Sequence, residues 1–155
     1  MGLLIEPNPT TFTALLNKNR KAYSVNTALA VTPEAAEVTL GLRGRSGILS
    51  VLRDRGIRVK ALPVYSLLRA LGVTVVDFLS LDVESSEVKV LKTIPWDEVK
   101  FRLMCIEYQT SPEGFEYMKN LLTSNGYSFL GVTKIDAWFG LPELLSKDLN
   151  ISNTE

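Results

Sequence analysis

Three short apolar runs of this chain each end in a carboxylate. Glu6 follows Leu-Leu-Ile, Asp82 follows Phe-Leu-Ser-Leu, and Glu107 follows Leu-Met-Cys-Ile. If the three runs are parallel strands of one sheet, their acids gather at one edge of that sheet. Open α/β sheets bind ligands at this edge. The sequence therefore predicts a small-molecule site built on carboxylates.

These acids suit two kinds of chemistry. Glu6, held directly after its strand by flanking prolines, can accept hydrogen bonds from both hydroxyls of a ribose. Asp82 and Glu84 should point to the same side of an extended backbone, because side chains alternate with a period of two. Such a pair can orient or deprotonate a substrate hydroxyl or amine, or hold a metal through oxygen. The structural alternative is that these are solvated acids at strand ends, with Glu87 favoured in the first turn of the next helix by the helix dipole.

The residue types that are missing narrow the chemistry. The chain has no histidine and a single cysteine, Cys105, which lies in an apolar run and is expected in the core. This composition excludes Ser-His-Asp and Cys-His catalysis, histidine-based metal sites and multi-cysteine zinc sites. We assign no metal site from the sequence. Chemistry must rest on carboxylates, hydroxyls, lysines or a cofactor.

Length and charge limit the partners. A chain of 155 residues fits one domain. With 17 basic and 17 acidic side chains, it has no net positive charge that would attract nucleic acid. No run approaches the roughly 20 apolar residues of a transmembrane helix, and no signal peptide is visible, so we expect a cytoplasmic location. Residues 43–60 are rich in Arg and Lys, which predicts a solvated loop or a lid over an anionic partner.

Strand and helix patterns alternate along the chain, which predicts an α/β three-layer domain over residues 1–141 and a polar tail over 142–155. The run at 73–83 is almost continuously apolar, which is typical of a strand buried on both faces at the centre of a sheet. We therefore expect Leu79, Leu81 and Val83 to be largely buried, together with Leu91 and Ile106. Asn8 and Pro9 predict the start of a helix, and residues 25–31 predict a strand. Residues 127–134 and 137–141 predict a closing antiparallel pair.

Several segments of the sequence resemble the FkbM-type methyltransferase family, a branch of the S-adenosylmethionine-dependent Rossmann-like enzymes. They are Gly2-Leu-Leu-Ile-Glu-Pro-Asn-Pro9, Asp77-Phe-Leu-Ser-Leu-Asp-Val-Glu84 and Ile106-Glu107. The resemblance covers residues 2–132. It implies a Rossmann-like class I methyltransferase sandwich, with a mostly parallel sheet that ends in the antiparallel pair.

The resemblance also implies a function and assigns residues to it. The cofactor would be S-adenosylmethionine, and the reaction O-methylation of a small-molecule or glycan acceptor. Glu6 and Asn26 would take the cofactor-binding places, and Asp82 and Glu84 the catalytic places.

Within that family, the sequence resembles the Star-like animal proteins at two segments, Tyr65-Ser-Leu-Leu and Val90-Leu-Lys-Thr-Ile-Pro95. This similarity implies a second function, a non-catalytic domain in trafficking of growth-factor ligands. Its partners would be those ligands or trafficking proteins, and its location the membranes of the endoplasmic reticulum, Golgi and endosomes. Cofactor binding separates the two hypotheses.

Two departures from the family pattern count against activity. Ser85 stands where the family usually has a glycine, which adds a side chain where the backbone should turn sharply. The chain also opens on what resembles the second strand of the family, without the first strand and its glycine-rich turn. We therefore expect a truncated, inactive chain that binds S-adenosylmethionine weakly or not at all. Adding that strand and turn should restore binding, and micromolar binding by the short chain would contradict this expectation.

Overall fold

A computed structural model describes residues 1–41, 49–50 and 56–145 of the chain. Most of the basic stretch predicted as a loop or lid, and the tail from residue 146 onwards, lie outside the described residues. The chain divides into two compact units, one formed by Met1–Leu67 with Lys89–Ile94, the other by Leu68–Val88 with Pro95–Glu155.

The first unit contains two small sheets. Its elements are β1 (Leu3–Ile5), α1 (Pro9–Leu16), β2 (Tyr23–Val25), β3 (Ala28–Leu29), β4 (Ala36–Gly41), β5 (Leu49–Ser50) and β6 (Gly56–Leu62). β1 pairs with β2 in parallel. The other sheet has the order β3-β6-β4-β5, with β3 parallel to β6 and the remaining pairs antiparallel.

Local sequence sets the start of α1 as predicted. The side-chain oxygen of Asn8 accepts the backbone N–H of Thr10 at 2.9 Å, and Pro9 is the first helical residue. Asparagine at the cap satisfies an N–H that has no partner inside the helix, and proline needs none. The helix therefore begins three residues after Glu6 and fixes the turn that carries it.

The larger sheet of this unit buries mainly small side chains. Its buried cluster is formed by Ala28, Ala30, Val38 and Ala61, with Val59 packed against it. Gly56 lies opposite Gly41, and a Cβ at Gly56 would collide with the carbonyl oxygen of Leu40. Only glycine permits this approach of the two backbones.

The second unit is built on one four-stranded sheet. Helix α2 (Val64–Ala70) leads into it, and α3 (Glu87–Leu91) begins in it with Glu87 and Val88. Its other elements are β7 (Val75–Leu81), β8 (Lys100–Glu107), α4 (Phe115–Ser124), β9 (Ser128–Thr133), β10 (Asp136–Gly140) and α5 (Pro142–Leu145). The order is β7-β8-β10-β9. β7 and β8 are parallel, and β10 is antiparallel to both β8 and β9, which confirms the predicted closing pair.

Alternate residues of this sheet form its core. The side chains buried to 3% exposure or less include Leu81, Met104, Ile106, Ala137 and Phe139, with Met118 and Leu122 of α4. Residues two apart on a strand point to the same face. The Phe129 ring links this face to α4, with its centroid 5.5 Å from those of both Phe115 and Phe139.

The position of β7 corrects the sequence analysis. The apolar run at 73–83 was expected at the centre of the sheet, but β7 is an edge strand, because β8 is its one pairing partner among the described strands. Leu81, Leu91 and Ile106 are buried as predicted. Leu79 and Val83 are only half-buried, so their predicted burial was wrong.

The architecture is α/β, as expected, but its sheets differ from the expected arrangement. The described strands form three separate sheets rather than one mostly parallel sheet. The strand predicted at 25–31 is divided between β2 and β3, with Asn26 between them. Among the described helices, none is long and apolar enough to cross a membrane.

A substitution at the end of β7 tests this core. Leu81→Ala should lower the free energy of unfolding by about 2–5 kcal/mol, since truncating a buried leucine removes apolar contacts and leaves a cavity. Leu130→Ala is a matched control on β9, because Leu130 is 52% exposed, and it should cost less than about 1 kcal/mol. Urea unfolding of both variants measures the difference. Equal costs would show that β7 does not contribute to the core.

Candidate functional site

Asp82 and Glu107 lie together at the carboxyl ends of two neighbouring parallel strands. β7 ends at Leu81, which is in register with Ile106 of β8. Asp82 and Glu107 are the next residues along each strand. The prediction that these two acids share one edge of a sheet is therefore confirmed.

The backbone turns sharply directly after this edge. Glu84 and Ser85 both have left-handed backbone conformations, with φ of 52° and 78°. The prediction that Asp82 and Glu84 project to the same side of an extended strand is therefore wrong, because the strand has ended before Glu84. The expected sharp turn at Ser85 is present, in a conformation that glycine adopts more easily.

This turn returns the chain to the strand end and buries Glu87. The Glu87 side chain is fully buried, and its Oε1 accepts the backbone N–H of Val83 at 2.9 Å. One carboxylate oxygen each from Asp82, Glu87 and Glu107 lies within 4.8 Å of the other two. We call these three residues the carboxylate cluster. Glu84 is not a member of it among the described residues.

Sequence reasoning missed the part that Glu87 plays. It placed Glu87 in the first turn of a helix, which is correct, but explained it by the helix dipole alone. The available signal was the short distance in sequence: only four residues lie between Asp82 and Glu87, so a helix that starts there must begin close to the end of β7.

Burial and mutual repulsion favour protonation in the cluster. Burial raises the pKa of Glu107 from 4.5 to about 7, and the charge of Asp82, a hydrogen bond with Asp82 and the charge of Glu87 act in the same direction. A hydrogen bond with Thr110 opposes them. Burial also raises the pKa of Glu87, against hydrogen bonds from the backbone, among them that from Val83. Charges of one sign held together in low dielectric produce such shifts.

Glu6 and Asn26 belong to the first unit and are linked to each other. Oε1 of Glu6 accepts the backbone N–H of Asn8 at 2.8 Å. The side-chain amide of Asn26 donates to the carbonyl oxygens of Glu6 and Pro7, at 2.7 and 3.1 Å. Asn26 therefore braces the turn on which Glu6 lies.

The expected row of three acids is only partly present. Glu6 follows β1, which pairs with β2 in a separate sheet. Asp82 and Glu107 are at the ends of adjacent strands, but Glu6 does not follow a neighbouring strand of their sheet. The prediction of one edge shared by all three was wrong, because it assumed a single continuous sheet.

Comparison with known protein families gives this chain its class. The model of the FkbM methyltransferase domain matches residues 1–129. The chain therefore belongs to the FkbM methyltransferase domain family, and methyltransferase is the class of protein that this match supports. Neither the curated proteins nor the solved structures gave a significant match.

The turn after β7 provides a test of its backbone strain. Ser85→Gly should raise the free energy of unfolding by up to about 1 kcal/mol, since relief of the left-handed penalty exceeds the added flexibility of the unfolded chain. Ser66→Gly, in the exposed face of α2, is the control and should instead destabilise by about 0.5 kcal/mol. Thermal unfolding compares them. A destabilised Ser85→Gly would show that the Ser85 side chain outweighs its backbone strain.

Stability should also depend on pH through Glu107. Between pH 4.5 and about 7, the unfolded chain loses this proton while the folded chain keeps it. The free energy of unfolding should therefore fall as the pH rises through this window, by at most about 3 kcal/mol, and level off above it.

Urea unfolding from pH 4.5 to 8 measures this dependence. Glu107→Gln should flatten the curve, because the titrating group is gone. Glu116→Gln, which changes an exposed acid of α4, should leave the slope unchanged. A slope that Glu107→Gln does not reduce would assign the titration to another group.

Proposed function

We propose that this chain is an S-adenosylmethionine-dependent methyltransferase domain that methylates a hydroxyl of a small molecule or glycan. The observation that carries the proposal is the family match over residues 1–129. The carboxylates at the ends of β7 and β8 support it, since an oxygen nucleophile needs a group to orient it and to take its proton.

The proposed catalytic residues are Asp82 and Glu84. Asp82 is exposed and Glu84 half-buried, so an acceptor can approach both from solvent. One of these carboxylates would hold the acceptor hydroxyl by a hydrogen bond and take its proton as the oxygen becomes methylated. When bound, S-adenosylmethionine supplies the electrophilic methyl group.

The turn after β1 fits the proposed cofactor-binding role. Glu6 is half-buried, and although Oε1 already accepts the N–H of Asn8, a carboxylate has acceptor capacity for further bonds. It can therefore receive ribose hydroxyls. Asn26 uses its amide nitrogen to brace this turn, so its proposed contribution is to position Glu6 and to offer its amide oxygen.

The second candidate is a non-catalytic Star-like domain that binds growth-factor ligands or trafficking proteins at membranes of the endoplasmic reticulum, Golgi and endosomes. The observation that favours it is Ser85, which occupies a left-handed turn at φ 78° beside the proposed catalytic acids. A serine there stiffens the backbone and adds a side chain at the place where the acceptor would approach. The enzyme hypothesis places the domain in the cytoplasm.

Binding of S-adenosylmethionine by the full chain tests the proposal. We expect weak binding, detected by ligand-observed NMR at millimolar concentrations. Glu6→Ala should weaken it by about 1–3 kcal/mol, the scale of a hydrogen bond to a charged group. Glu6→Gln removes the charge but keeps an acceptor for the N–H of Asn8. Comparison with Glu6→Ala therefore distinguishes the effect of the lost charge from the effect of a disrupted turn.

Glu34→Ala is the control, since it removes an exposed acid of the same unit and should leave binding unchanged. Absence of binding both by the wild-type chain and by a variant that carries the family's first strand and glycine-rich turn ahead of Met1 would contradict the methyltransferase proposal and favour the trafficking domain. Binding that Glu6→Ala leaves unchanged would remove Glu6 from the cofactor site.

A further inference from the structure

The carboxylate cluster gathers more negative charge than its surroundings balance. Its three members come from the end of β7, the first turn of α3 and the end of β8, and all belong to the second unit. Among residues 1–41 and 56–145, no salt bridge reaches any of them. The charges that act on Glu107 are those of Asp82 and Glu87, and both repel.

Burial makes this arrangement costly. Glu87 is 0% exposed and Glu107 6% exposed. Buried carboxylates are found paired, protonated or coordinated to a metal, because an uncompensated charge in low dielectric is strongly unfavourable. A compensating positive charge must therefore come from a proton or from a ligand.

One carboxylate oxygen of Glu87 lacks a hydrogen-bond partner. Oε1 accepts the N–H of Val83, but Oε2 is buried and has no hydrogen-bond partner. Buried polar atoms without a partner are rare in native proteins, and each costs the full desolvation of that atom. The missing partner belongs to the same carboxylate that contributes to the cluster.

A cation placed among the three carboxylates would compensate all of them together. It would also offer a partner to the carboxylate of Glu87, whose Oε2 has none.

The spacing suits a cation bound by oxygen. Two oxygens that ligate one Ca²⁺ at roughly 2.3–2.6 Å lie no more than about 5 Å apart, and the cluster oxygens lie within 4.8 Å of one another. Carboxylate oxygens without nitrogen or sulfur ligands favour Mg²⁺, Ca²⁺ and Mn²⁺ over softer metals. Asp82 is exposed and gives an ion access from solvent, with room for water ligands.

We propose that Asp82, Glu87 and Glu107 form a binding site for a hard divalent cation, which the sequence alone did not predict. The left-handed turn at Glu84 and Ser85 completes the site, because it returns Glu87 to the end of β7. The site shares Asp82 with the proposed methyl transfer, but cation binding needs neither methyl donor nor acceptor and is measured without them.

Manganese is a suitable probe, because electron paramagnetic resonance measures free Mn²⁺ directly. The full wild-type chain should bind one Mn²⁺ saturably, and Mg²⁺ or Ca²⁺ should displace it. Asp82→Asn and Glu87→Gln should each weaken Mn²⁺ binding by roughly tenfold or more. Loss of a residue that only orients a metal ligand already weakens metal binding by about tenfold, and loss of a ligand should cost at least as much. Glu116→Gln should stay within about twofold of the wild type.

Circular dichroism establishes that each variant is folded. If Glu87→Gln does not fold, Asp82→Asn decides the matter, because Asp82 is exposed and its substitution leaves the core unchanged. Absence of saturable Mn²⁺ binding by the wild type would overturn the proposal, as would equal binding by Asp82→Asn and the wild type. Loss of methyl-donor binding with Mn²⁺ binding retained would reject the proposed function and leave the cation site in place.

Discussion

Parallel pairing of β7 with β8 is the constraint on which the second unit depends. In a parallel pair both strands end at the same edge, so this register places Asp82 beside Glu107. The same register aligns Leu81 with Ile106 and so builds the buried face on which α4 packs. The apolar core and the acidic edge are consequences of one set of backbone hydrogen bonds.

The acidic edge opposes the stability that the core provides. The core removes leucine, methionine and phenylalanine side chains from water, whereas the cluster removes carboxylates that water solvates well. The hydrogen bond from Val83 to Glu87 offsets only a part of this cost. The methyl-transfer proposal and the cation proposal would each give these acids a function.

The two units hold their acids by different means. In the first unit, Glu6 lies on a turn held by Asn26 and by the cap of α1. In the second unit, the acids are held by strand register and by a left-handed turn. Family membership connects these features to methyl transfer, while the cluster chemistry follows from this chain's own residues.

The sequence by itself determined the local elements, because their signals are local. Asn8 and Pro9 start α1, the acids follow their strands, and the closing antiparallel pair lies where its pattern predicted it. The segments around Glu6 and Asp82 also indicated the family whose model matches residues 1–129. Composition excluded histidine-based chemistry, because the chain has no histidine, and left carboxylates, hydroxyls, lysines or a cofactor.

Tertiary structure alone decided which acids meet. Strand order depends on long-range pairing, which periodicity does not encode, so neither the edge position of β7 nor the separate sheet of β1 could be read from the residues. The cluster required a left-handed backbone at Glu84 and Ser85, a conformation that residue type disfavours and that only the surrounding contacts impose. Glu87 became a buried member of the site for that reason, while Glu84, nearer to Asp82 in sequence, did not.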